Sequence, residues 1–259
     1  MNVFEYYLNE MRQFYSTNKL NIERIYKIAE ELIKNTKDYY HSNFLFSHMW
    51  KVAILSYECG KRLKLDSKTL LNLIVAALIH DMGIIFLEIN INKKELTEEE
   101  KLKLKTHPDI LVELLIQENI PSEVLSGILY HHERLDGSGY PRGIKATQIP
   151  LISRIIAISD VIEAVSSDRP YRKALKGVEL FREVMPLSVN KLDEKIMKVF
   201  VDFISIYPLG SRVLLSNGIS GIVYKTSTNP FRPIVKLDTG KIIDLTKEEY
   251  WQIFVEKEL

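Results

Sequence analysis

The fold is decided by the stretch His131-His132-Glu133-Arg134-Leu135-Asp136-Gly137-Ser138-Gly139-Tyr140-Pro141. Two adjacent histidines open this stretch, and a glycine-rich loop with a Gly-Tyr-Pro tripeptide follows them. The pattern predicts a helix that ends at the histidine pair, where the turn can bring both imidazoles to one cavity. Because imidazole is the commonest protein metal ligand near neutral pH, the pair indicates a metal site.

Further histidines and aspartates lie on both sides of this stretch. His80 and Asp81 are adjacent, and Asp160 lies inside a downstream apolar band, where a carboxylate is rarely left without a partner. A hydrogen-bonded core or surface role is the alternative for a single histidine, and we expect it for His41, which stands outside the pattern. The predicted metal ligands are His48, His80, Asp81, His107, His131, His132 and Asp160.

The composition of this set predicts the kind of centre. Five imidazoles and two carboxylates are too many for one tetrahedral zinc ion. They suit two octahedral divalent ions, with Asp81 able to bridge them, and ligation by nitrogen and oxygen without cysteine favours iron, or else manganese. Two neighbouring metal ions can bind and hydrolyse a phosphate ester.

Bulk composition narrows the class of protein. The 259 residues are 46% hydrophobic and 27% charged, as in ordinary globular proteins. A net charge of +1 gives no broad attraction for a nucleic acid polymer or an anionic membrane. The longest apolar run, Leu73 to Ile79, is too short to span a bilayer, and no signal peptide opens the chain. We expect a cytoplasmic protein in which Cys59 is a buried thiol.

Helical periodicity covers most of the chain up to about residue 206. Residues 2–16 and a segment from Asn18 or Asn21 to about Asp38 predict N-terminal helices in residues 1–40. A helix begins at Ser47-His48, and a central one, apolar nearly all round, starts after an Asp66 or Ser67 cap and ends near Gly83. The remaining predictions are a loop over 84–94, a capping box from Thr97, and helices over 109–118, from Pro121 to His132, from Pro150 through Asp160, and near 175–185 and 191–205.

After Tyr207-Pro208-Leu209-Gly210 the pattern changes to short strands. Strands are predicted at 212–215, 221–224, 234–237 and 241–243, with turns at Asn217-Gly218 and Asp238-Thr239-Gly240. We therefore expect a mainly α fold in three parts: N-terminal helices over 1–40, a helical domain over 41–206 and a small β module over 207–259. The module either caps the helical domain or binds a partner or ligand.

At this point the sequence resembles the HD-GYP subgroup of the HD-domain phosphohydrolases. The resemblance covers roughly residues 44 to 204, and its motifs occur in order with near-family spacing. They are His48 with Val52-Ala53, His80-Asp81-Met82-Gly83, Leu96-Thr97-Glu98-Glu99, His107-Pro108, His131 to Gly143, Ile149-Pro150, Arg154-Ile155, Asp160 and Ser167 to Arg172.

The resemblance implies an HD-type helical bundle that hydrolyses cyclic di-GMP to the linear dinucleotide pGpG, often on to GMP, at a non-haem di-iron or related centre. All seven predicted ligands match family positions, with His80 and Asp81 at the catalytic core. Arg169 and Arg172 match basic positions that contact substrate phosphate. The Gly139-Tyr140-Pro141 loop borders the site and is linked to the docking of GGDEF-domain proteins. A homodimer is a further expectation.

Two departures from the family pattern matter. Ile84 stands where the family usually has a lysine that reaches the reacting phosphate, so activity is expected to be reduced; Lys93 or Lys94 could reach in instead. Phe44 stands where some members have a glutamate for a third metal, so two metals are expected. The alternatives are a weakly active or inactive module that binds cyclic di-GMP or a cyclase partner, and a hydrolase of another nucleotide.

Overall fold

A computed structural model describes residues 6–7, 9–10, 13, 17, 21–34, 44–91, 93–169, 172–204, 206–227 and 229–259. The helices among these residues are α1 (Ile22–Lys34), α2 (Phe44–Arg62), α3 (Ser67–Ile79), α4 (Glu98–Leu104), α5 (His107–Leu115), α6 (Ser122–Leu129), α7 (Leu151–Ser166), α8 (Gly177–Ser188) and α9 (Glu194–Phe203). The mainly α class predicted from periodicity is confirmed.

Helix α3 is the centre of the bundle. Its side chains from Asn72 to Ile79 are all buried, because the helix is apolar nearly all round and neighbouring helices cover every face. The carboxylate of Asp66 accepts hydrogen bonds from the amides of Lys68 and Thr69, which fixes where the helix begins. Segment Ser67–Leu87 is long and apolar enough to cross a membrane, but 83% of its 18-residue apolar window is buried inside the fold, as in a core helix.

The N-terminal helices are described in part. Asn21 caps α1 by accepting from the amide of Arg24, and Ile25, Ile28 and Ala29 are buried. The helix predicted over 2–16 lies largely outside the described residues. Within it, Tyr7 is buried, and its hydroxyl donates to the carbonyl of Leu78 on α3.

Two local predictions were wrong. Helix α2 begins at Phe44, one turn before Ser47. Gly83 does not end α3 as a left-handed cap; it lies in a short 3-10 helix, Met82–Leu87, in the segment where a loop was predicted after residue 83. A β-carbon on Gly83 would lie 2.0 Å from the carbonyl oxygen of His107. The glycine is needed for close backbone approach, not for a turn.

The C-terminal strands form one antiparallel sheet in the order β4-β3-β2-β1-β5. Its strands are β1 (Arg212–Leu215), β2 (Ser220–Lys225), β3 (Ile234–Leu237), β4 (Ile242–Asp244) and β5 (Val255–Glu258). β5 was not predicted, because Glu256, Lys257 and Glu258 give it almost no apolar alternation. The buried face of the sheet packs with Phe181 of α8 and Val201 of α9.

Candidate metal centre

The seven predicted ligands meet where several helices converge: five lie at or beside helix ends, while His48 and Asp160 lie inside α2 and α7. They fall into two sets, and within each set the potential ligand atoms lie within 4.8 Å of one another. One set is Asp81 with His107, His131 and His132, and the other is His48 with His80 and Asp160. Four of the five histidines are almost completely buried, and His132 is partly exposed. Residues far apart in sequence therefore line one centre. His41 lies outside the described residues.

Asp81 stands between the two sets. Its Oδ1 lies 3.1 Å from His107 Nε2 and 3.4 Å from His131 Nε2. Its Oδ2 lies 3.6 Å from the Nε2 atoms of both His48 and His80. Each carboxylate oxygen thus faces a different group of imidazoles, which is the arrangement that a bridging carboxylate needs.

Backbone carbonyls fix the orientation of three rings. Nδ1 of His80, His107 and His131 lies 2.9, 2.7 and 2.6 Å from the carbonyl oxygen three residues earlier, in Ala77, Leu104 and Ile128. A carbonyl can only accept, so Nδ1 carries the proton and Nε2 keeps its lone pair. Three Nε2 lone pairs are therefore directed at Asp81, as in ligating histidines whose other nitrogen is hydrogen-bonded.

This arrangement fits cations. In these tautomers the contacts of Asp81 Oδ1 with His107 and His131 join two acceptors, which repel each other unless positive charge lies nearby. Among the described residues, His80 Nε2 and Asp81 Oδ1 are buried without a hydrogen-bond partner, and such groups cost about 1–3 kcal/mol each if left so. Nitrogen and oxygen donors without sulfur suit the metals predicted above.

Electrostatics keep most of the set in ligating form. Burial lowers the pKa of His80 to about 4, and burial beside His131 lowers that of His132, so both rings are neutral near pH 7. Burial opposes the charge of Asp81, but the neighbouring imidazoles outweigh it and hold the pKa of its carboxyl well below the usual range. Burial likewise opposes ionisation of Asp160, but its hydrogen bond with His48 lowers the pKa.

Glu163 supports the centre, and the sequence reasoning missed it. Burial alone would lower the pKa of His48, but hydrogen bonds with Asp160 and Glu163 raise it to about 10. Glu163 Oε2 accepts from His48 Nδ1, while Oε1 accepts from the hydroxyl of Ser167. The available signal was its position three residues after Asp160, which puts both carboxylates on one side of α7.

A cavity of about 230 Å³ opens onto this centre. Phe44 and Arg169 form part of its wall, with the Arg169 guanidinium carbon 4.1 Å from the centre of the Phe44 ring. Ile84, which replaces the family lysine, also lines it. The full lining is Phe44, Leu45, His48, Asp81, Ile84, Ile91, Lys93, Lys94, Leu96, Leu104, Asp160 and Arg169.

The other two predicted substrate residues are placed differently. Arg172 is not in this lining: its guanidinium donates to the carbonyl of Ala164, at 2.6 Å. The Tyr140 ring stacks on His132, with 4.5 Å between ring centres, and so borders the histidine cluster. Pro170 and Tyr171, between the two arginines, lie outside the described residues.

Glu133 holds the glycine-rich loop in place and was also missed. Its side chain is buried, and Oε1 accepts hydrogen bonds from the amides of Arg142 and Gly143, at 2.7 and 3.0 Å. A β-carbon on Gly139 would lie 2.4 Å from the Glu133 Cα. The loop is therefore packed tightly against the residue that follows the histidine pair, which keeps Tyr140 against His132.

Fold and site together define a class: a helical protein that gathers buried histidines and aspartates at one centre suited to metal ions. The chain belongs to the HD domain family, whose model, described as "HD domain", matches residues 24–203. This match confirms the HD-domain part of the resemblance drawn from the motifs.

Curated relatives carry related names. The cyclic di-GMP phosphodiesterase PdeB of Borreliella burgdorferi is 30% identical over 80% of this chain and 56% of its own. A cyclic di-GMP phosphodiesterase of Pseudomonas aeruginosa is 32% identical over 70% and 44%. The 3'3'-cGAMP-specific phosphodiesterase 1 of Vibrio cholerae is 35% identical over 71% and 43%. The chain spans about half the length of these relatives.

A solved structure shares the fold. The HDG"Y"P protein from Bdellovibrio bacteriovorus superposes with a TM-score of 0.64 at 17% identity, covering 76% of this chain and 69% of that one. At this identity the match shows the fold alone, and it agrees with the predicted HD-type bundle.

Proposed function

We propose that this chain is a metal-dependent phosphodiesterase that hydrolyses cyclic di-GMP to linear pGpG, GMP or both. The observation that carries the proposal is the position of Asp81, whose two carboxylate oxygens face two different groups of imidazoles. Such a centre suits a pair of divalent ions, iron in the first place and manganese as the alternative. The names of two relatives support the substrate.

The seven candidate ligands would hold the metals: His107, His131 and His132 on one side of Asp81, and His48, His80 and Asp160 on the other. When bound, a metal pair supplies activation of water and charge stabilisation at a phosphate. His80 and Asp81, at the middle of the set, form the proposed catalytic core. The buried surroundings strengthen every electrostatic interaction made there.

The residues around the centre are suited to positioning the substrate. Arg169 presents a guanidinium at the cavity wall, and this group recognises phosphate by paired hydrogen bonds. Tyr140 stacks on His132 at the edge of the cluster and gives a planar surface for a base or sugar. Arg172 is bonded to a backbone carbonyl, so its proposed contact with substrate requires that bond to break.

The test is turnover by protein purified without oxygen and loaded with iron or manganese. We expect linear product from cyclic di-GMP, resolved by chromatography, and none from a His80→Ala variant. Absence of product from a preparation shown to hold two metals would contradict the proposal for this substrate. Because one relative is named for 3'3'-cGAMP, this nucleotide is assayed in parallel.

A binding module is the second candidate function, and Ile84 favours it because the cavity lacks a cation at that position. Such a module would bind cyclic di-GMP, or a GGDEF-domain protein through the Gly139-Tyr140-Pro141 loop, without turnover. Calorimetry on the metal-loaded protein would show tight nucleotide binding with no product.

We also propose a cytoplasmic location, a homodimer and a division of the chain into three parts at residues 40 and 206.

A further inference from the structure

We propose that Lys94 binds a phosphate oxygen of the substrate from the loop before α4. The inference rests on the proposed function in taking a phosphodiester as the ligand, and it assigns a specific residue to that ligand. Ile84, which lines the cavity beside the centre, is apolar and cannot bind the phosphate, so a cation elsewhere in the lining must do so.

Three cations line the cavity besides His48: Lys93, Lys94 and Arg169. Two of them are engaged with carboxylates. Lys93 Nζ lies 2.5 Å from Glu100 Oε1, and Arg169 lies 3.6 Å from Glu163 while stacking on Phe44. Lys94 forms no ion pair with any described residue, so its charge is the one free to meet an incoming anion.

The loop around Lys94 is held firmly by its neighbour. Glu100, which pairs with Lys93, also accepts from the amide of Thr97 at 2.8 Å, while Thr97 Oγ1 accepts from the amide of Glu100 at 3.2 Å. This reciprocal capping box fixes the start of α4. Lys93 thereby anchors the loop to the helix, and the next residue, Lys94, is carried at the cavity wall.

The lining combines positive charge with apolar surface, and this combination suits a phosphodiester of a nucleoside. Lys94 and Arg169 offer positive charge, while Leu45, Ile91 and Leu104 offer an apolar surface. A lysine is a mobile point charge with three donors, well suited to a phosphate oxygen whose position changes during reaction. Charge of this kind, placed where negative charge develops, lowers the barrier to phosphoryl chemistry.

The test compares Lys94→Met with Lys93→Met, and with Lys195→Met, a control at an exposed residue of α9. Two readouts are taken on metal-loaded protein: kcat/KM for cyclic di-GMP, and the Kd of inorganic phosphate by calorimetry. We expect Lys94→Met to lower kcat/KM and to weaken phosphate binding about tenfold to hundredfold, the range for a charge-assisted hydrogen bond. Lys94→Arg should keep most of both, and metal content should not change.

A second variant tests whether a positive charge elsewhere in the same cavity can replace Lys94. Because Ile84 lines the same cavity, Ile84→Lys in the Lys94→Met background should recover most of the lost phosphate affinity. The proposal is overturned if Lys94→Met stays within twofold of wild type, if the control Lys195→Met loses as much, or if Ile84→Lys recovers nothing. Failure of the wild-type protein to hydrolyse cyclic di-GMP would overturn the proposed function. Because phosphate binding needs no turnover, the Lys94 assignment would then be decided by the Kd of inorganic phosphate.

Discussion

The guanidinium carbon of Arg169 lies over the Phe44 ring, 4.1 Å from the ring centre, at the wall of the cavity beside the metal centre. The Phe44 ring in turn lies nearly parallel to that of His48, one helical turn further along α2, with 13° between the planes. Phe44 thus holds the arginine at the cavity wall through this cation–π contact. We infer that Phe44 is a positioning residue for Arg169.

We predict that Phe44→Leu weakens substrate binding more than it slows turnover. A cation–π contact is worth about 0.5–2 kcal/mol, so KM for cyclic di-GMP should rise by about twofold to thirtyfold with kcat little changed. Phe44→Tyr keeps the ring and should behave like wild type. Steady-state kinetics and metal analysis measure this. A loss of bound metal in Phe44→Leu, with KM unchanged, would contradict the positioning role.

We predict that Glu163→Gln weakens metal binding about tenfold to hundredfold, the usual cost of losing a carboxylate behind a ligating histidine. The amide cannot accept the His48 proton as strongly as the carboxylate that now accepts it. Competition with a fluorescent chelator gives the metal affinity. Glu183→Gln, at an exposed position of α8, is the matched control. Equal affinity in the two variants would show that Glu163 serves packing alone.

We predict that Gly83→Ala damages both stability and the metal centre. The added carbon would lie 2.0 Å from the carbonyl oxygen of His107, so α5 must shift and carry His107 with it. Overpacking of this kind costs about 1–3 kcal/mol of unfolding free energy. Denaturant unfolding and metal analysis should both show the loss. Gly210→Ala, in the β module with open space around it but a φ of +86°, should lower stability without changing metal content.

We predict that Cys59 resists thiol reagents in the native protein. The side chain is completely buried, and burial raises the pKa of its thiol to about 12. The unfolded thiol ionises at much lower pH, so alkaline conditions above that lower pKa favour unfolding. Labelling at pH 8 should be slow without denaturant and fast with it. Rapid labelling of folded protein at pH 8 would contradict the buried position.

Much of the centre could be predicted from the sequence because its ligands are chemically distinctive. Five histidines, together with Asp81 and Asp160, indicate a metal site, and the fold brings them together. The helices were predictable where apolar periodicity and caps agree, as in α3 after Asp66. Strand β5 was not, because a chain of alternating charges becomes a strand here only through its pairing with β1.

The supporting contacts were harder to predict, for physical reasons. Glu133 and Glu163 look like ordinary surface acids in sequence, and only the packing shows that both are buried. The stack of Arg169 on Phe44 joins residues more than a hundred positions apart, and no periodicity links them. The role of Gly83 depends on the approach of another backbone, which sequence patterns do not report.

Three of the histidine rings are oriented by backbone carbonyls of Ala77, Leu104 and Ile128. Every amino acid offers the same carbonyl, so evolution can exchange the side chains at these three positions without losing the acceptor. Deleting or inserting one residue between acceptor and histidine, in contrast, would rotate the ring away from the centre. Ring orientation is thus insensitive to point substitution at the acceptor positions and sensitive to chain length. Residue type at the buried positions Ala77 and Ile128 is limited by core packing and not by these hydrogen bonds, while the three-residue spacing should be kept in related sequences.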